Sequence, residues 1–147
     1  MPRVLAAVDG SEQANCVADY IVDRFGGSIA MQVVVLNAQP KPQQWQTRGI
    51  AKDAIRDRLQ ELGHKAIALI SERLEQAQIS TKPRLELGDP VDTILRCARE
   101  EGCDLIVMGA RRLGRVRSAL VRKTGLTCGS VAAQVVKLAD IPVVVVK

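Results

Sequence analysis

The sequence predicts one α/β domain built on a parallel, doubly wound sheet, and three observations lead there. Five short apolar runs alternate with four segments of helical periodicity, giving β-α-β-α-β-α-β-α-β along 147 residues. The segments between runs are long enough to cross back over a sheet, which makes neighbouring strands parallel. Apolar residues make up 47% of the chain and aromatics only 2%, so the core is assembled from Val, Ile, Leu and Ala. Strands covered by helices on both faces read as continuous runs of those residues. A chain of this length suits one domain with one core, and it carries no internal repeat and no low-complexity tail.

Each element has its own signal. Residues 2–8, Pro-Arg-Val-Leu-Ala-Ala-Val, form the first strand, stopped by Asp9-Gly10-Ser11. Ser11 caps a helix from about Glu12 to Arg24, with Cys16, Val17, Tyr20, Ile21 and Phe25 inward, and Gly26-Gly27 ends it. Met31 to Ala38 is the second strand, and Gln39 to Gly49, with Pro40, Pro42 and Trp45, is a loop. A long helix covers Ile50 to Gln76, its apolar positions Ile55, Leu59, Leu62, Ala66, Leu69, Ile70 and Leu74 keeping helical spacing. Pro83 to Leu87 is a short third strand ended by Gly88. Asp89-Pro90 then starts a helix: Asp supplies the cap, Pro suits the first helical position, and Asp92 favours the positive helix end. This helix buries Val91, Ile94, Leu95 and Ala98 and stops at Gly102. Asp104 to Met108 is the fourth strand, Ser130 to Ala139 the last helix and Pro142 to Val146 the fifth strand.

Several classes of function are excluded by what the chain lacks. No apolar stretch approaches the ~20 residues of a membrane helix, and the N-terminus has no signal-peptide pattern, which places the chain in the cytoplasm. Cys16, Cys97, Cys103 and Cys128 have no CxxC spacing, and with His64 as the single histidine they form no zinc set. Cys97 and Cys103 flank a helix end and could be bridged, though a reducing compartment disfavours it. Cys128, just before a helix start, is the one candidate for redox sensitivity. There is no G-x-x-x-x-G-K-[ST] and no G-x-G-x-x-G after a strand. Neither G-x-S-x-G nor a Cys–His pairing points to acyl transfer. A protein without a placed base or metal cluster is expected to bind its ligand and not to turn it over.

The pattern does provide an anion site. A buried strand ends at Gly109, and Gly129-Ser130 opens a helix; glycine allows close backbone approach, and a helix start offers unpaired N–H groups with partial positive charge. Ligands of doubly wound sheets lie beyond the carboxyl ends of strands, so the tips at Asp9 and Gly109 are the expected crevice walls. Between Gly109 and Gly129 lies a strongly basic segment. Residues 111–123 hold Arg111, Arg112, Arg115, Arg117, Arg122 and Lys123 and no acid; without those six the net charge falls from +5 to −1. Either these arginines clamp a polyphosphate through charge-assisted bonds, or they are the solvated face of a short helix whose inner stripe is Leu113, Val116 and Leu120. A third reading is a docking patch for an acidic protein or nucleic acid. Nucleic acid ranks last, because one Trp, one Tyr and one Phe offer no stacking platform.

Taken in order, these residues resemble the universal stress protein family. The likeness runs through Val4-Leu5-Ala6-Ala7-Val8-Asp9-Gly10-Ser11, Gly88-Asp89-Pro90, and Asp104-Leu105-Ile106-Val107-Met108-Gly109-Ala110-Arg111. It continues at Gly129-Ser130-Val131-Ala132 and closes at Pro142-Val143-Val144-Val145-Val146. The resemblance implies a flavodoxin-like, adenine-nucleotide-binding sheet of order 3-2-1-4-5 with helices on both faces. It also implies a homodimer paired through the last strand, 142–147, and a role as a stress sensor or regulator. In the ATP-binding branch the phosphates lie on Gly, two residues, Gly, nine residues, then Gly-Ser or Gly-Thr. Here Gly109 matches the first glycine and Gly129-Ser130 the last pair, while Arg112 occupies the second glycine position and sixteen residues separate it from Gly129. Gly114 is the candidate displaced glycine, and Arg111 and Arg112 are candidate phosphate clamps. By the same resemblance Asp9 lies near the ribose, Ala38 beside the adenine, and Ala7, Val8, Met108 and Val131 line the wall. The expected ligand is ATP, with Mg²⁺ held through its phosphates. The competing expectation is a dimeric scaffold without nucleotide whose basic segment docks an acidic partner. Slow hydrolysis or self-phosphorylation would need Ser130 or Thr127 near the γ-phosphate.

Overall fold

The computed structural model describes residues 2–9, 13–27, 30–39, 52–110 and 130–147. Its strands are β1 (Arg3–Ala7), β2 (Gln32–Gln39), β3 (Ser80–Leu87), β4 (Leu105–Gly109) and β5 (Val143–Val146), and its helices are α1 (Gln13–Phe25), α2 (Lys52–Gln76), α3 (Pro90–Glu100) and α4 (Ser130–Leu138). All strand pairs are parallel, in the order β3-β2-β1-β4-β5. The expected fold class, including its strand order, is therefore the one observed.

Two cores follow from the pleat. Side chains alternate across the sheet, so Val4, Ala6, Val33 and Val35 face α1 and α2, where Val17, Ile21, Ile67, Ile70 and Leu74 meet them. Leu5, Ala7, Val34 and Leu36 face α3 and α4, against Val91, Ile94, Cys97, Ala132 and Val135. Mainly aliphatic side chains pack both layers, as the shortage of aromatics requires.

Helix ends behave as their residues dictate. Asp89 is extended and its side chain accepts from the Asp92 amide at 3.0 Å, capping α3. Past the end of α3 Gly102 takes a φ of 64°, a left-handed conformation that costs glycine nothing.

The structure corrects two expectations. Strand β3 starts at Ser80 and not at Pro83, because it is the outer strand: its far edge needs no ladder partner, so a proline and the polar Ser80-Thr81-Lys82 are tolerated there. On α2, Leu62 and Leu69 are 44% and 63% exposed and not inward. The buried stripe runs through Gly63, Ala66, Ile67, Ile70 and Leu74, narrower than the seven apolar positions suggested. Cys97 and Cys103 are free thiols buried in the second core, the reading favoured over a bridge. His64 is exposed.

A charged cluster ties β3 to the end of α3. Glu101, buried at the helix end, accepts from Lys82 Nζ at 2.9 Å and from Arg84 Nη1 at 3.0 Å, and its carbonyl accepts from Arg3 Nη1 at 2.8 Å. Arg84 also donates to Glu86 at 3.0 Å and to Glu100 at 2.7 Å.

Candidate functional site

The strand order reverses between β1 and β4, which pair from Val4↔Leu105 to Ala7↔Met108. Their parallel direction brings Val8-Asp9 and Gly109-Ala110 to the same end of the sheet, at the switch point where such folds hold ligands. The two predicted crevice walls are thus neighbours.

Backbone bonding makes these tips rigid. The Val8 amide donates to the Leu36 carbonyl at 2.9 Å, extending the ladder one residue past β1. Its carbonyl accepts from Asn37 Nδ2 at 2.8 Å, in a buried bond. On the other side, Gly109 pairs with Val146, and the Ala110 amide donates to the Val146 carbonyl at 2.8 Å. Asp9, just beyond this pinned backbone, is half-buried, so its carboxylate stands at the border between core and solvent.

Ala7, Val8, Ala38 and Met108 are all buried, Met108 at 0% exposure, and their side chains belong to the two cores. Val131 is buried beside Ala132 and Val135, so it anchors the first turn of α4 to the sheet. Helix α4 carries the chain from the end of β4 to the start of β5, and its positive N-terminus therefore faces the same end as Asp9 and Gly109. Ser130 opens that helix. Arg111, Arg112, Gly114 and Gly129, with the rest of the basic segment and Cys128, lie outside the described residues. Among the described residues no three His, Cys, Asp or Glu side chains gather into a metal-binding group. No helix among them is long and apolar enough to cross a membrane.

Sequence reasoning missed two residues here. Asn37 is 2% exposed, a lone amide in an otherwise apolar strand, and it fixes the peptide preceding Asp9. Its signal was present: an asparagine inside Val33-Val34-Val35-Leu36-Asn37-Ala38 puts an amide in the core that needs partners, and Nδ2 has one while the buried Oδ1 has none among the described residues. Gly63 lets α2 approach the same spot; a Cβ there would lie 2.9 Å from Asn37 Oδ1 and 2.4 Å from Leu85 Cδ1. Its signal was a glycine inside a long helix.

Comparison with known proteins agrees with this geometry. The sequence model of the universal stress protein family matches residues 1–147. A universal stress protein of Methanocaldococcus jannaschii is 28% identical over 96 residues, 65% of this chain and 55% of that protein, so the match spans about half of that relative's length. The solved structure of the same archaeal protein superposes with a TM-score of 0.81 at 24% identity, over 99% of this chain and 95% of that one. A universal stress protein from Archaeoglobus fulgidus in complex with dAMP gives a TM-score of 0.63 at 21% identity, covering 100% and 98% of the two chains. A family protein from Arabidopsis thaliana with AMP bound gives 0.70 at 18% identity, covering 100% and 92%.

Proposed function

This chain belongs to the universal stress protein family, and from that premise we propose that it binds an adenine nucleotide at the switch point and acts as a stress sensor or regulator. The observation that carries the reading is the meeting of Val8-Asp9 with Gly109-Ala110 at one end of the sheet, with the start of α4 facing the same end. The donor set fits the ligand. A carboxylate at Asp9 suits ribose hydroxyls, a glycine at the tip of β4 admits a phosphate close to the backbone, and a helix N-terminus favours negative charge. Ala7, Val8, Ala38, Met108 and Val131 form the wall, Gly129-Ser130 contact phosphate, and Arg111 and Arg112 clamp it. The AMP and dAMP bound by structural relatives support an adenine base. ATP with Mg²⁺ is the form we assign, since the six cations of 111–123 match a polyphosphate.

Strand β5 supports the dimer. It lies at the sheet edge, and its four half-buried valines carry no charge or proline that would discourage a further strand. We assign it to pairing with a second copy.

Calorimetric titration with ATP and Mg²⁺, beside mass spectrometry of ligand released on denaturation, tests this reading. Gly129→Glu, which puts a carboxylate where phosphate is assigned, should abolish binding while the dimer persists. Unchanged affinity in that variant would remove the site. The second reading, a nucleotide-free scaffold, is favoured by Arg112 at the second glycine position and by the lengthened 113–128 segment. It predicts a protein purified empty that ignores ATP and captures an acidic partner through residues 111–123.

A further inference from the structure

The opposite end of the sheet carries a second concavity, remote from Asp9 and Gly109. A pocket of about 310 Å³ opens between α3, α4 and the residues leading into β4 and β5, within the ~300–1,000 Å³ range of small-molecule sites. Its floor is Ala98, Cys103 and Ile106, all buried, and Leu138 and Ile141 form its sides. Arg99 and Asp140, both exposed, stand at its rim.

We propose that this pocket binds a small zwitterion with an apolar body, the chemistry of a branched-chain or aromatic α-amino acid. Arg99 takes the carboxylate, Asp140 takes the ammonium group, and the side chain enters the apolar floor. Three observations converge on that chemistry. The floor is uncharged: burial pushes the Cys103 thiol up to about 11, so it stays protonated at neutral pH, and the side chains beside it, Ala98 and Ile106, are aliphatic. Arg99 makes one long bond, Nε to the Leu95 carbonyl at 3.4 Å, and has no ion-pair partner among the described residues. Arg96, one turn earlier, is by contrast engaged by Glu86 at 4.0 Å and Glu100 at 3.6 Å. Asp140 likewise has no partner among the described residues. One available cation and one available anion beside a cavity with aliphatic side chains on its floor match a ligand carrying both charges; a fatty acid or an amine satisfies one group and is repelled by the other. Ile141 leads directly into β5, so occupancy would also steady the start of the edge strand.

The site stands apart from the nucleotide reading and is tested separately. Amide NMR spectra of the intact protein would be recorded with L-leucine, L-phenylalanine, 4-methylpentanoate and 3-methylbutylamine. The amino acids should shift Cys103, Ile106 and Ile141 and bind at least tenfold more tightly than either singly charged analogue. Arg99→Gln and Asp140→Asn, both at exposed positions, should each raise the dissociation constant about tenfold with the remaining spectrum unchanged. No shift at millimolar amino acid overturns the proposal, as does a carboxylate or amine that binds as well as the amino acid. Shifts of the same residues with protein concentration alone would show the face covered by a second copy and overturn it equally.

Discussion

Replacing Gly63 with alanine sets two effects of comparable size against each other. In an exposed helix interior the change stabilises by about 1 kcal/mol, because alanine loses less backbone freedom on folding. Here the new Cβ would lie 2.4 Å from Leu85 Cδ1, 2.9 Å from Asn37 Oδ1 and 3.1 Å from Gln39 Nε2. The leucine methyl is the end of a flexible side chain and can rotate away. The Asn37 amide cannot: it is buried, and its Nδ2 is committed to the Val8 carbonyl at 2.8 Å. Overpacking of a well-filled site costs about 1–3 kcal/mol. Taking about 2 kcal/mol for the clash against about 1 kcal/mol of helix gain, Gly63→Ala should destabilise by about 1 kcal/mol. For a domain of this size that lowers Tm by about 3 °C, readable by calorimetry or circular dichroism. The larger Gly63→Val should cost roughly twice as much or more. On an Asn37→Ala background the alanine should become neutral or stabilising, because the immovable neighbour is gone. A rise in Tm for Gly63→Ala in the otherwise unchanged protein would refute the reasoning, since it would mean that α2 does not need the close approach.

Three further perturbations have defined outcomes. The Glu101 carboxyl is held below its usual value, first by the hydrogen bond from Lys82 and then by the nearby Lys82 and Arg84 charges. A depressed folded-state value means its contribution is complete above the unfolded value near 4.5 and is lost as pH falls through the lower folded value. The urea midpoint should therefore drop below about pH 5, and more gently in Glu101→Gln, which also lowers stability at neutral pH; identical profiles would count against the cluster. Asp89→Ala removes the acceptor of the Asp92 amide and should cost about 1 kcal/mol in urea unfolding. Burial pushes the Cys97 and Cys103 thiols up, so peptide mapping after iodoacetamide near pH 8 should find both protected in the native state and modified in urea, with half-buried Cys16 reacting ahead of them.

The fold was legible because its signals are local and redundant. The run Val33 to Leu36 reads as a strand from composition alone, Asp89-Pro90 starts a helix by capping and ring geometry, and Gly102 ends it by φ. Alternation of such elements leaves a parallel sheet as the arrangement that buries every apolar face. The strand ends before Asp9 and at Gly109 were legible too, since strand ends are places where a chain must turn. The exposure of Leu62 and Leu69 was not: leucine fits either face of a helix, and the face is chosen by where the sheet lies.

The sequence by itself determined the order of elements, their direction and which strand tips share one end of the sheet, because periodicity, caps and breakers act over a few residues. Tertiary structure alone decided what those elements do to one another over longer separations. It placed Asn37 beneath Val8, brought Gly63 against both, drew Lys82 and Arg84 onto Glu101, and enclosed a pocket between Arg99 and Asp140. Each of these joins residues far apart along the chain, and a contact of that kind exists only once the crossovers have stacked helix on sheet.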